Sequence, residues 1–159
     1  MIDLEKIKTR VFEGVPIEDV LSKLDWKEFE EAVAEIFLEN GFNVKRNMRI
    51  NEGKRYEIDL VASEAKGSRK IFCIDCKEWN RGRSKKSGIK LAAAMQKERT
   101  QQFEKFVSKN FIARDYVKLP GKAEFCPMLV TLFEEDLKEE DGVFVVPVWK
   151  LNSFLNEDL

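Results

Sequence analysis

Apolar positions recur along this chain in two rhythms, one near 3.6 residues and one of two, and their order outlines the fold. Leu4, Ile7 and Val11, then Val20, Leu21 and Leu24, recur at helical spacing on either side of Gly14 and Pro16, which predicts two short helices. Asp25 with Glu28 three residues on reads as a capping box, and Leu24 and Phe29 flank it as a hydrophobic staple. A third helix therefore starts at Trp26. Its apolar face takes Trp26, Phe29, Val33, Ile36 and Phe37, and Asn40-Gly41 ends it.

The period then changes to two. Phe42, Val44, Arg46, Met48 and Ile50 alternate as a strand, and Asn51 to Lys54 is a turn. Tyr56 to Trp79 holds two strand-like runs separated by a polar loop, Ser63 to Arg69, the pattern of a hairpin. In the first run Glu57 and Asp59 fall on one face and Ile58 and Leu60 on the other. In the second, Ile71, Cys73, Asp75 and Lys77 share a face opposite Phe72, Ile74 and Cys76, so the two charged sets meet. Asn80 to Gly88 has no periodicity and reads as a flexible loop. A long helix follows over Ile89 to Ser108, burying Ala92 to Met95, Phe103, Phe106 and Val107. Phe111 to Glu124 is mixed, with a turn at Pro120-Gly121. Phe125 to Phe133 is a buried strand after Pro127, Glu134 to Asp141 an acidic loop, Gly142 to Val148 another strand, and Leu151 opens a terminal helix. The helical crossover between Lys77 and Phe125 makes the strands on either side parallel.

Composition narrows the chemistry. With 159 residues, 43% of them hydrophobic, the chain is long enough for one substantial core. Residues 1–24 read as an N-terminal helical extension and 25–159 as the main domain. A net charge of -1 gives no overall basicity, but Lys77 to Arg99 carries eight basic residues against two acids. Histidine is absent, which excludes Ser-His-Asp, Cys-His and His-ligated zinc chemistry within one chain. Cys73, Cys76 and Cys126 are too few for a disulfide scaffold; Cys73 and Cys76 fall on opposite faces of a strand and read as buried thiols. No signal peptide and no apolar run of spanning length is visible, so a soluble, cytoplasmic protein without membrane contact is expected.

Charges at the end of a strand as apolar as Phe72 to Ile74 are costly to desolvate unless something compensates. A divalent cation held by Asp59 and Asp75, with Lys77 close by, would do so, because hard cations take carboxylate oxygens. A surface salt bridge accounts for an isolated Asp-x-Lys triplet. Here the triplet closes an apolar strand, follows a second acidic strand at hairpin distance, and is preceded by an amphipathic helix bearing Glu30.

That arrangement resembles the PD-(D/E)xK nuclease superfamily; IDCKEW is similar to the second motif of Mrr-like restriction endonucleases and EIDLVA to the first motif of several members. The resemblance implies a restriction-endonuclease-like α/β fold, a mixed sheet flanked by helices in the order αβββαβ. It implies a Mg2+- or Mn2+-dependent DNA endonuclease hydrolysing phosphodiester bonds. Asp59 and Asp75 would be metal ligands, the backbone carbonyl of Cys76 a further one, and Lys77 the catalytic lysine. Glu30 would be the third acidic member, direct or through water, against the alternative of a solvated helix glutamate. Glu57 would stand in the outer shell, with Ile58 in place of the motif's proline. A helix glutamine reaches the site in some related nucleases, which singles out Gln101 or Gln102. DNA would be gripped by the basic loop and the start of the long helix, through Trp79, Arg81, Arg83, Lys85, Lys86 and Lys90. Trp79 would stack on a base or sugar, or else serve as a packed or hinge residue. Cleavage of both strands would call for a homodimer.

Two other classes fit the same residues. A catalytically silent nucleic-acid-binding module would keep the sheet and the basic loop, and a purely structural domain would pair its charges internally.

Overall fold

The computed structural model describes residues 4–21, 23–64, 70–77, 86–119, 122–132 and 138–157. Two short helices, α1 (Leu4–Phe12) and α2 (Ile17–Leu21), precede α3 (Trp26–Glu39). The boundary of α3 is set by the capping box: Glu28 N–H donates to Asp25 Oδ1 at 2.8 Å, and Asp25 N–H donates to Glu28 Oε1 at 3.1 Å. A long hairpin follows, β1 (Phe42–Glu52) and β2 (Lys54–Glu64), then β3 (Lys70–Lys77). The turn between β1 and β2 is only Gly53, at φ +78°, a conformation that glycine alone adopts without strain. The long helix α4 (Lys86–Lys109) and the short α5 (Phe111–Tyr116) cross over to β4 (Glu124–Thr131); β5 (Glu139–Glu140), β6 (Val143–Pro147) and α6 (Val148–Glu157) complete the chain.

The six strands form one mixed sheet in the order β1-β2-β3-β4-β6-β5. The first three are antiparallel, β3 and β4 are parallel across the helical crossover, and β4 and β6 are also parallel. Pro127, which has no N–H to offer, stands inside β4 one place before its pairing with β6 begins at Met128↔Phe144. One face of the sheet packs against α2, α3 and α6 through Phe29, Val33, Phe37, Phe72, Ile74, Met128 and Leu151, with Ile7 and Ile17 added at its edge. The other face is covered by α4, through Phe103 and Val107 over the hairpin and through Ile89, Ala92 and Ala93 over Leu129, Val143 and Val145. The result is the α/β architecture of a restriction-endonuclease-like fold, a mixed sheet between helical layers. No helix among the described residues is long and apolar enough to cross a membrane.

Four expectations need correction. Ala94 and Met95, expected with Ala92 and Ala93 in the buried stripe of the long helix, are exposed, because they fall on the side of α4 turned away from the sheet. Phe111 to Tyr116, read as mixed, is a helix, capped by Asn110, whose side chain accepts from Ala113 N–H at 3.0 Å. Trp26 does not join the core; the first turn of α3 stands outside it and leaves Trp26 47% exposed. Strict alternation also fails in the hairpin. Phe42 and Val44 pack toward α3 while Met48 and Ile50, of the same parity, pack toward α4; likewise Leu60 packs toward α3 and Ile58 toward α4. The cause lies at Asn47, which adopts φ +54°, and the β1–β2 ladder skips the Asn47–Asp59 pair while keeping register on both sides. Asparagine tolerates this left-handed conformation better than most residues. Past that break both strands turn their other edge to the same helix, so Ile58 and Leu60 do not share a face.

Candidate active site

The break in the hairpin leaves Asp59 without a ladder partner on β1, and the β2–β3 ladder ends one residue before it, at Leu60↔Ile74. The two strands part there. Cys76 N–H, which has lost a backbone partner on β2, donates instead to the Asp59 carboxylate at 2.9 Å. Asp59 is thereby fixed facing the end of β3. Regular alternation on β3 puts Ile71 and Cys73 under α4 and Phe72, Ile74 and Cys76 toward α3, which places Asp75 and Lys77 on the α4 side, as the sequence implies. The carboxyls of Asp59 and Asp75 come within hydrogen-bonding reach of each other.

Burial, reinforced by neighbouring acids, raises the proton affinity of Asp59 and Glu30. Burial pushes the Asp59 pKa up from 3.8 to about 7, and the hydrogen bond with Asp75 and the charges of Asp75 and Glu30 push the same way, against the stabilising Cys76 N–H. Glu30 is raised too, first by burial, with Glu57 and Asp75 adding to it and Arg46 opposing. Its side chain is almost wholly buried, so it is not a solvated helix glutamate. Lys77 Nζ lies 3.0 Å from Asp75 Oδ2 and Arg99 Nη1 3.8 Å from the same oxygen. Neither approach has hydrogen-bond geometry. Asp75 Oδ2 and Glu30 Oε1 are both buried without a hydrogen bond among the described residues, a costly state for carboxylate oxygens.

Among the described residues no three His, Cys, Asp or Glu side chains stand close enough to form a ready-made metal centre. What the geometry supplies is a pair of carboxylates, with Glu30 near enough for its charge to be felt. Glu57 is exposed and lines a cleft of about 550 Å³ with Arg49, Asn51, Arg55 and Tyr56 at the hairpin's far end. Of the residues expected to grip nucleic acid, Lys90 is exposed on α4; Trp79, Arg81, Arg83 and Lys85, and the side chain of Lys86, lie outside the described residues.

The helix glutamine that touches β3 is Gln96. Gln101 is exposed and Gln102 half-buried, whereas Gln96 is buried and donates through Nε2 to Cys73 O at 2.8 Å. Its Oε1 accepts from Arg99 Nη1 at 3.4 Å. The spacing holds the signal: Ala92, Ala93, Gln96, Thr100, Phe103 and Val107 are one buried stripe, and a glutamine in its middle must satisfy its amide internally. Arg99, at the edge of the same stripe, counts in sequence only as part of a basic run.

The three cysteines are buried free thiols, Cys73 and Cys76 on opposite faces.

A family model described as restriction endonuclease, of the Mrr catalytic type, matches residues 21–115, a stretch that contains Glu30, Asp59, Asp75, Lys77, Gln96 and Arg99. An uncharacterized protein of Archaeoglobus fulgidus is 30% identical over 131 residues, covering 82% of this chain and 88% of its own length. A crystal structure of a protein of unknown function is 18% identical with a TM-score of 0.37; the match covers 79% of this chain and 53% of that one, so this chain spans about half of its length.

Proposed function

Because this chain belongs to the restriction endonuclease family, we propose that it is a metal-dependent DNA endonuclease that hydrolyses phosphodiester bonds at the cluster of Asp59, Asp75 and Lys77. The observation that carries the reading is the pairing of two carboxylates where β2 and β3 part, beside buried carboxylate oxygens on Asp75 and Glu30 that no hydrogen bond satisfies. Such a set suits Mg2+ or Mn2+: the donors are all hard oxygens, and the unsatisfied Glu30 Oε1 and the raised Asp59 pKa both express negative charge seeking a cation. Asp59, Asp75 and the carbonyl of Cys76 would hold the ion, with Glu30 acting through water and Glu57 farther out. When bound, the ion acidifies a coordinated water and stabilises charge on the phosphoryl oxygens.

The chain's own residues do the rest. Lys77 presents a compact ammonium beside Asp75, where it can orient the attacking water and offset charge on the phosphate. Cys76 N–H keeps the Asp59 carboxylate turned toward Asp75. Arg81, Arg83, Lys85, Lys86 and Lys90 follow Lys77 in the chain, and their charges would hold the DNA backbone beside the carboxylates, with Trp79 stacking on a base or sugar.

The test is nicking of supercoiled plasmid in Mg2+ or Mn2+ against EDTA, with Asp75→Asn and Lys77→Ala alongside. Metal-dependent nicking that each variant reduces about a hundredfold or more supports the reading. A wild type that binds DNA in a salt-dependent way but nicks nothing in either metal would make it a silent binding module instead.

A further inference from the structure

Asp75 draws two cations to one carboxylate oxygen. Lys77 reaches Oδ2 along its own strand at 3.0 Å, and Arg99 reaches it from α4 at 3.8 Å. Lys77 makes the closer contact with Asp75, which leaves the more distant Arg99 to be accounted for. The Arg99 contact is coulombic only, since 3.8 Å is beyond hydrogen-bond length and Oδ2 accepts no hydrogen bond among the described residues. None of the guanidinium's N–H donors is therefore committed to Asp75.

What holds Arg99 in place is Gln96, one turn earlier. The Gln96 amide pins α4 to β3 through Cys73 O at 2.8 Å, and its oxygen takes a long 3.4 Å bond from Arg99 Nη1. The arginine is thus anchored through Nη1, the nitrogen that also faces Asp75, with 24% of its side chain exposed beside the carboxylates. A guanidinium offers a planar fork of N–H groups that matches two oxygens of a phosphate, which an ammonium cannot do.

We propose that Arg99 is a substrate-binding residue: its guanidinium takes non-bridging oxygens of the phosphate to be cleaved, and rests against Asp75 only while that phosphate is absent. The identity of the phosphate as the scissile one rests on the nuclease reading above. The resting contact is weak by construction. A divalent cation held by Asp75 would weaken its attraction for Arg99 and leave the fork to the phosphate beside it. Lys77 and Arg99 then act on opposite partners, Lys77 on the water and Arg99 on the phosphate.

The experiment uses the full chain, Arg99→Gln and Arg99→Lys. Labelled duplex DNA is titrated in Ca2+ across a NaCl series by fluorescence anisotropy, and Mn2+ is titrated into each protein without DNA by calorimetry. Arg99→Gln should bind DNA about tenfold or more weakly, with a slope of log Kd against log salt shallower by about 1. Arg99→Lys should recover the slope but only part of the affinity. Mn2+ should bind Arg99→Gln more tightly than wild type, because a competing cation has left Asp75. Thermal unfolding confirms that each variant is folded. A purely structural counter-ion would lower the melting temperature and leave DNA affinity and slope unchanged, and that result overturns the proposal; so does weaker Mn2+ binding by Arg99→Gln. If wild type nicks DNA while Arg99→Gln keeps its affinity and slope, this inference falls and the nuclease stands. If wild type never nicks but Arg99→Gln loses DNA affinity, the phosphate contact stands and hydrolysis falls.

Discussion

Asp59→Asn should make the metal-free protein more stable above neutral pH while removing a ligand its activity needs. The amide keeps an oxygen that can accept from Cys76 N–H, now at 2.9 Å from the carboxylate, so the backbone at the strand break need not shift. It removes a buried charge placed against Asp75 and Glu30. The rise of the Asp59 pKa from 3.8 to about 7 corresponds to a ceiling of about 4 kcal/mol at roughly 1.4 kcal/mol per unit. Residual solvent contact reduces this to about 1–2 kcal/mol. In a domain of this size that is on the order of 5 °C in melting temperature.

The sign follows from linkage. A carboxyl whose folded pKa is raised contributes stability that is fully present below its unfolded value, near 3.8, and lost as pH climbs through about 7. Glu30, also raised, acts in the same direction. Wild type in EDTA should therefore lose stability from pH 4 to pH 8, and the Asn variant should lose less. Urea unfolding at pH 4.5 and pH 8 measures both. An advantage for Asp59→Asn that is largest at pH 8 and small at pH 4.5 is the expected pattern. A variant no more stable than wild type at pH 8, or a difference that ignores pH, would refute the account of the cluster as crowded acids.

Mn2+ should raise the melting temperature of wild type more at pH 8 than at pH 5, because protons compete for the Asp59 oxygens; an equal rise at both pH values, or an undiminished rise in Asp75→Asn, contradicts the ligand assignment. Asn47→Val should cost about 1–2 kcal/mol by placing a β-branched residue at φ +54° and should lower nicking with it, whereas Asn47→Gly should preserve both; equal activity in the two variants would detach the strand break from the site. Phe72→Ala removes a fully buried ring whose centroid lies 5.9 Å from Phe37 and 5.8 Å from Phe42, and should lower stability by about 3–5 kcal/mol in urea unfolding; a loss under about 1 kcal/mol would show that this aromatic cluster is not central to the core.

Where local physics decides the structure, the sequence was readable. The capping box at Asp25 gave the start of α3, and β3, which keeps strict alternation, delivered Asp75 and Lys77 to the side inferred for them. The parallel β3–β4 pair followed from the length of the crossover. The misreadings share another cause: each depends on contacts distant in sequence or on one unusual backbone angle. Nothing in the alternation of Phe42 to Ile50 announces that Asn47 adopts φ +54° and hands the rest of the hairpin to the opposite helix. Gln96 was hidden among other glutamines because helical spacing tells which stripe a residue occupies only once the stripe's centre is known. Arg99 was hidden because charge counted along a chain says nothing of which carboxylate it faces.

The irregularity and the chemistry are one feature. A continuous β1–β2–β3 ladder would pair Asp59 with Asn47 and engage Cys76 N–H with a backbone carbonyl, leaving the Asp59 carboxylate no donor to fix it. Ending that ladder at Leu60↔Ile74 frees Cys76 N–H to position Asp59, and the same separation makes room for Glu30 from α3 and Arg99 from α4 to approach from opposite sides of the sheet. The regular half of the hairpin, Phe42 to Arg46 with Leu60 to Glu64, supplies the rigid wall against which this happens, its Phe42, Leu60 and Ala62 buried beneath α3. Acids that repel one another can be held together only by a scaffold whose stability comes from elsewhere. Here it comes from the aromatic cluster under α3 and the stripe under α4, both set back from the carboxylates.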